Sequence, residues 1–167
     1  MSIGKSERME NNQKDLYEES FFIIKPCGMQ YEREILEELK KHFNVRMVNH
    51  ITLTKDFLEK IYRKEENIFK KMNICYLCDK EAILGIVGGE EARTKLMEVC
   101  GYDYKPEFCD KTSIRYKYSD IRKPIEIHGR PFYINAIHRS QPEDAEEDIQ
   151  IYINEVMKNK YMEGDER

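Results

Sequence analysis

Two kinds of apolar spacing alternate along the chain: blocks of consecutive apolar residues, and stripes in which they recur every three or four positions. Phe21, Phe22, Ile23 and Ile24 are apolar on both faces, which predicts a strand in the middle of a sheet. Pro26 and Gly28 then turn the chain and leave Lys25 at the strand's end, directed to solvent or into a cleft. Ile35, Leu36, Leu39 and Phe43 follow at helical spacing, with Glu and Lys between them. Val45, Met47, Asn49 and Ile51 alternate with polar or bulky neighbours and predict a second strand. Thr54 caps a helix that starts near Lys55 and carries Phe57, Leu58, Ile61 and Tyr62; Ile68, Phe69 and Met72 make a short helical stripe after it. Ala82 to Val87 is a third strand, closed by Gly88 and Gly89, and Ala92, Leu96 and Val99 stripe a helix that Gly101 stops. Tyr102 to Arg130 has no clean period, and so long a connection in a compact domain is usually functional or an interface. Pro131, Phe132, Tyr133, Ile134, Ala136 and Ile137 predict the fourth strand. Ser140 caps the last helix, with Pro142 in its first turn, Glu143 three residues on, and Ala145, Ile149, Tyr152 or Ile153, and Val156 on its inner stripe.

This order of strand, helix, strand, paired helices, strand, helix, strand, helix predicts an α+β domain. A ferredoxin-like sandwich fits it, with a four-stranded antiparallel sheet covered by helices. Many functions share that class, so it does not name one. The 167 residues suffice for one domain, with 40% apolar residues for a core beneath a surface drawn from 36% charged ones. Residues 1–19 read as a polar, flexible or loosely docked extension, 20–158 as the domain, and 159–167 as a short tail. The net charge of −4 and its interspersed signs argue against a nucleic-acid partner, as do central strands without exposed aromatics. No apolar stretch is long enough for a membrane span, and the N-terminus is too polar for a signal peptide. Five scattered cysteines suit a reducing, cytoplasmic setting. Cys75 and Cys78 have half a zinc spacing, but no second pair completes it, so no metal site of the protein's own is expected.

The candidate chemistry gathers at the elbow between the fourth strand and the last helix. His138 sits there, and imidazole is a nucleophile near neutral pH if one ring nitrogen is free and the other is held. Asp148, early in the helix, is a candidate holder. A solvated elbow histidine covering the helix start fits the local residues as well.

Two longer motifs add to this. Phe21-Phe22-Ile23-Ile24-Lys25-Pro26-Cys27-Gly28-Met29-Gln30 resembles the "IKPDG-x-Q" opening of the nucleoside diphosphate kinase family, and Asn135-Ala136-Ile137-His138-Arg139-Ser140 resembles its "N-x-x-H-G-S" active-site motif. Tyr62 and Phe69 fall where that family has a tyrosine and a base-stacking phenylalanine, and Thr112-Ser113-Ile114-Arg115 is similar to its "GTIRG" segment. The resemblance spans about residues 20 to 153 and implies the same ferredoxin-like fold. It implies a ping-pong phosphotransferase in which His138 takes the γ-phosphate of a nucleoside triphosphate and passes it to a nucleoside diphosphate. Lys25 and Arg115 would neutralise phosphate charge, Mg²⁺ would arrive with the nucleotide, and Tyr62 would hydrogen-bond the transferring oxygens. Asn135 would contact the sugar and phosphate, Phe69 would stack on the base, and Asp148, one residue early and one methylene short of the family's Glu, would orient the histidine. A homo-oligomer is implied as well.

The chain departs from the pattern at defined places. Met97 stands where the family has a phosphate-binding arginine, and Asp103 where it has a phosphate-contacting threonine. Lys95 and Arg93 are nearby cations in sequence, but Arg93 is a full turn away and Lys95 points elsewhere on the helix. Cys27 replaces an aspartate, and Arg139 replaces the glycine after the histidine, as a new phosphate contact or an obstruction. The stretch from Arg115 to Asn135 is about ten residues longer than usual, in a region where the family builds subunit contacts. Two function classes follow: an active nucleoside diphosphate kinase whose triphosphate affinity and activity Met97 and Asp103 weaken, or a weak or inactive relative serving as a nucleotide-binding or assembly module.

Overall fold

The computed structural model describes residues 16–165. Its organising element is β1 (Tyr17–Ile24), whose last five residues are all buried. Because successive side chains of a strand face opposite ways, β1 feeds two cores. Phe21 and Ile23 enter one with Phe57, Leu58, Ile61, Leu84 and Tyr152, while Phe22 and Ile24 enter the other with Ile35, Leu39, Ile83, Leu96 and Ile137. Such double burial requires helices on both faces, and the chain supplies them. α1 (Glu32–His42) and α4 (Ala92–Cys100) contribute to the second core. α2 (Lys55–Ile61), α3 (Asn67–Leu77) and α6 (Ala145–Asp165) contribute to the first.

The main sheet runs β2 (Asn44–Thr52), β3 (Glu81–Glu90), β1, β6 (Ile137–Arg139), and every pairing is antiparallel. This is the ferredoxin-like α+β arrangement that the element order predicts. Edge strand β2 carries an irregularity between Arg46 and Asn49, with Met47 at φ 51°. The Tyr152 hydroxyl of α6 is turned to it, donating toward the Met47 carbonyl and accepting from Asn49 Nδ2 at 2.8 Å.

Several boundaries differ from the sequence reading. β1 begins at Tyr17, inside the stretch read as extension, because Tyr17, Glu18 and Glu19 pair with Glu90, Gly89 and Gly88. Polar side chains hid that pairing, which is made by backbone groups. Residues 1–15 lie outside the described part. At the other end α6 continues to Asp165, through most of the expected tail. The expected fourth strand divides in two. Phe132 ends β5 (Arg130–Phe132), which pairs with β4 (Ile125–Ile127) in a separate two-stranded sheet, and only Ile137 reaches β6. The aperiodic connection before it holds α5 (Ile114–Tyr118), capped by Ser113, whose Oγ accepts from Tyr116 N at 3.3 Å.

One close approach sets the site's position. After β1 the chain turns so that Lys25 N donates to the Ala136 carbonyl at 2.8 Å and Gly28 N donates to the Lys25 carbonyl at 2.8 Å. A Cβ on Gly28 would stand 2.6 Å from the Ala136 carbonyl oxygen, which is backbone and cannot swing away. Gly28→Ala should therefore push the Lys25 turn off the Asn135–Ala136 segment and destabilise the fold by about 1–3 kcal/mol, read by denaturant unfolding. Unchanged stability would show that the contact relaxes freely.

Candidate active site

β6 is three residues long and occupies the sheet edge, with His138 opposite Ile23 of β1. Alternation sends His138 to the face of α2 and α6, and Ile137 and Arg139 to the face of α1 and α4. The His138 ring meets Tyr62 edge-on, with centroids 5.3 Å apart, and lies 6.4 Å from the Phe21 ring. Its Nε2 is enclosed with no hydrogen-bond partner, although the residue keeps part of its surface exposed. Burial, followed by the charges of Lys25, Arg115 and Arg139, holds the imidazole well below its ordinary pKa. It is a neutral base at physiological pH.

Lys25 ends β1 and is buried. Burial, then Arg115, lowers its pKa to about 8, against smaller opposing effects of Cys27 and Glu65. Arg115, on α5, is also buried and uses only backbone acceptors: Nε donates to the Ile137 carbonyl at 3.1 Å, and Nη1 to those of Gly101 at 3.3 Å and Asp103 at 2.9 Å. Its pKa is pushed down by burial. Tyr62 caps the end of α2; its buried hydroxyl has no partner, and burial raises its pKa, so it stays a neutral donor. Asn135 donates from Nδ2 to the Tyr104 carbonyl at 3.0 Å, while its enclosed Oδ1 is unpartnered. A site that leaves a tyrosine hydroxyl, an imidazole nitrogen and an amide oxygen unsatisfied, beside two cations without bonded carboxylates, is arranged for a polar anionic guest.

Lys25, Tyr62, Arg115 and His138 thus come together, with Asn135 three residues before the histidine. Phe69 projects from α3 and is exposed; among the described residues it makes no aromatic pairing with the cluster. Asp148 does not take the place expected of it. Its carboxylate accepts from Ser140 Oγ at 2.6 Å and from Arg63 Nη1 at 2.7 Å, with no hydrogen bond to His138. The first turn of α6 and the short aspartate stem deliver the group to the elbow two residues past the histidine. Burial raises its pKa, opposed by both of these donors. Asp148 thereby fastens the end of α2 to the strand–helix elbow through Arg63, a role that sequence spacing did not signal. Arg63, next to Tyr62, also donates to Glu147 at 3.0 Å.

The departures have defined placements too. Met97 is partly buried on α4 and supplies no charge. Asp103 is turned into its own loop, where Oδ1 accepts from Lys105 N at 2.9 Å. Arg93 donates to the Glu19 carbonyl at 3.2 Å and pairs with Glu18, at the far end of β1 from Lys25. Lys95 is exposed. The Arg139 side chain is buried, and its Nη2 donates to the carbonyls of Gly101 at 3.2 Å and Tyr102 at 3.0 Å. Cys27 donates from Sγ to the Asn135 carbonyl at 3.2 Å, and burial lifts its thiol to about 11, so it holds the turn as a neutral group. Cys75 and Cys78 are free, one exposed and one partly buried.

Comparison with known proteins bears on the fold and the family. No curated protein matches the sequence closely enough to be aligned with it. Among solved structures, the nucleoside diphosphate kinase of Aquifex aeolicus superposes with a TM-score of 0.66 at 21% identity, over 81% of this chain and 94% of that one. A Borrelia burgdorferi nucleoside diphosphate kinase, a transition-state mimic with bound vanadate and ADP, gives 0.69 at 18% identity, over 82% and 87%. A nucleoside diphosphate kinase family protein of Babesia bovis gives 0.66 at 20%, over 81% and 87%. At such identities the likeness is one of fold. The nucleoside diphosphate kinase family model, however, matches residues 18–157 in sequence, which takes in all but the first residue of β1, the Lys25 turn, α5 and the His138 elbow. The chain belongs to the nucleoside diphosphate kinase family.

Proposed function

We propose that the protein is a working nucleoside diphosphate kinase that carries the phosphoryl group on His138. The observation that supports this most directly is a His138 ring nitrogen left without a hydrogen-bond partner beside the Tyr62 ring, in an imidazole that burial, Lys25 and Arg115 hold below its ordinary pKa. A ring nitrogen attacks the γ-phosphorus of a nucleoside triphosphate, the bond to the β-phosphate oxygen breaks, and the nucleoside diphosphate leaves. A second nucleoside diphosphate attacks the phosphohistidine and regenerates the free base. Lys25 and Arg115 offset the charge spread over the transferring oxygens, and the Tyr62 hydroxyl donates to them. Asn135 offers its free amide oxygen to a hydroxyl of the sugar. Asp148 positions the elbow through Ser140 instead of holding the ring.

Mg²⁺ enters as part of the nucleotide substrate. It would be carried on the phosphate oxygens of that nucleotide, leaving Lys25 and Arg115 to meet the remaining phosphate charge near His138. Phe69, exposed on α3, stacks on the base with little selectivity, because every base has a π face. The reading places the protein in the cytoplasm, with five free cysteines in keeping, and includes self-association as a homo-oligomer. Among the described residues no helix is long and apolar enough to cross a membrane. Met97 favours a second reading, a nucleotide-binding or assembly module without turnover. Asp103 weighs less on that side, since its carboxylate is engaged in its own loop.

Four outcomes are expected. Incubation with γ-labelled ATP and Mg²⁺ should leave acid-labile label on the protein and none on His138→Ala; wild-type protein that stays unlabelled at millimolar ATP would leave only the second reading. Since His138 stays neutral down to acid pH and Lys25 loses its charge near pH 8, kcat/KM should hold level from about pH 6 to 7 and fall above about pH 8. Lys25→Arg should move that alkaline fall upward, as a guanidinium keeps its proton. Phe69→Ala should weaken ADP, GDP and CDP alike by about 1–3 kcal/mol in calorimetric titrations; a loss confined to one base would refute unselective stacking.

A further inference from the structure

Two buried guanidinium groups lie at the C-terminal end of α4 with no acid to answer them. Arg115 and Arg139 are 5% and 4% exposed. Both donate to the Gly101 carbonyl, Arg115 from Nη1 at 3.3 Å and Arg139 from Nη2 at 3.2 Å. The other acceptors they reach, on Asp103, Tyr102 and Ile137, are backbone carbonyls as well. Among the described residues neither forms a salt bridge, although arginines elsewhere find carboxylates, as Arg46 does with Glu19 and Arg63 with Asp148. Arg139 Nε is enclosed and has no partner at all.

Capping the last carbonyls of a helix accounts for one arginine, since cations suit a helix C-terminus. It does not account for two sharing one carbonyl, with an N–H donor left over in a buried setting. Like charges so close repel, and leaving a buried charged donor unanswered is costly. A polyanion that takes the free edges of both groups removes both penalties. Gly101 N also donates to the Met97 carbonyl at 2.9 Å, so the Arg139 guanidinium lies within a turn of the helix position that carries no charge.

We infer that Arg139 is a second polyphosphate-binding guanidinium of this site, paired with Arg115 across the Gly101 carbonyl and supplying from β6 the cation that α4 lacks at Met97. The assignment deepens the nucleotide reading above and rests on it for the identity of the ligand. Arg115 reaches the His138 side through its bond to the Ile137 carbonyl, at the phosphoryl being transferred. Arg139, on the opposite face of β6, takes the phosphates nearer the leaving nucleotide. The clamp thus holds the diphosphate end while the imidazole works on the terminal group.

The test uses inorganic tripolyphosphate and the full chain. Calorimetric titration of wild type and Arg139→Gln should show binding weakened about ten- to hundredfold in the variant, the loss of one charged hydrogen-bonding group. Adding Met97→Arg to Arg139→Gln should restore most of it. In case Arg139→Gln does not fold, the ¹H–¹⁵N Nε signal of Arg139 in wild type, assigned with Arg139→Lys, should shift on addition of tripolyphosphate. Equal affinities in wild type and variant, no binding by wild type, or an unmoved Arg139 Nε signal would each overturn the inference. Labelling of His138 by ATP reports separately on the catalytic reading, so a labelled protein with an indifferent Arg139 would leave that reading intact.

Discussion

Three cations, Lys25, Arg115 and Arg139, are packed around one edge strand; the two arginines have backbone carbonyls for partners, and among the described residues none of the three is bonded to a carboxylate. That arrangement is what the rest of the site depends on. Carbonyls fix the guanidinium planes without cancelling their charge, so the positive field remains available to a guest. The same field keeps His138 unprotonated, since a fourth positive charge in a buried place is disfavoured by burial and by its neighbours. In the proposed kinase, nucleophile and anion receptor are therefore two consequences of one electrostatic choice. Lys25 carries the cost of it, with a pKa drawn down to about 8.

The fold makes this choice affordable by supplying rigid positions. β1, buried on both faces, delivers Lys25 from its end, and β6 beside it delivers His138 and Arg139 to opposite faces. α5 brings in Arg115 from the long connection. Tyr62 closes α2 and leans its ring on His138, and Arg63, next along, reaches Asp148 and through it Ser140. The elbow is thus tied to α2 as well as to the sheet, which holds the imidazole between two anchored segments. Gly28 allows the Lys25 turn to sit against Ala136 with no side chain between them.

Much of this was legible in the residues. The double-faced apolar runs at Phe21–Ile24 and Ala82–Val87 foretold central strands, and the helical stripes foretold the layers on each side. The two motifs around Lys25 and His138 brought the site's main residues into one proposal, because motif spacing reflects chain turns that local chemistry dictates. Backbone pairing was not legible: Tyr17–Glu19 look like tail but complete β1, and Phe132 and Ile137, one apolar run in sequence, belong to different sheets. Nor were long-range side-chain choices. Asp148 stands near the histidine in sequence, yet chooses Ser140 and Arg63, and whether Arg139 contacts or obstructs depends on strand parity at a three-residue edge strand.

The central claim is that cationic burial keeps His138 neutral and that a phosphate guest relieves this. Side-chain ¹⁵N nuclear magnetic resonance of the four histidines across pH 4.5–8.5, with and without pyrophosphate, measures it directly. His138 should remain neutral well below the pH at which a free imidazole titrates, and its pKa should rise when pyrophosphate binds. A His138 that titrates near 6.5 and ignores pyrophosphate would contradict the account.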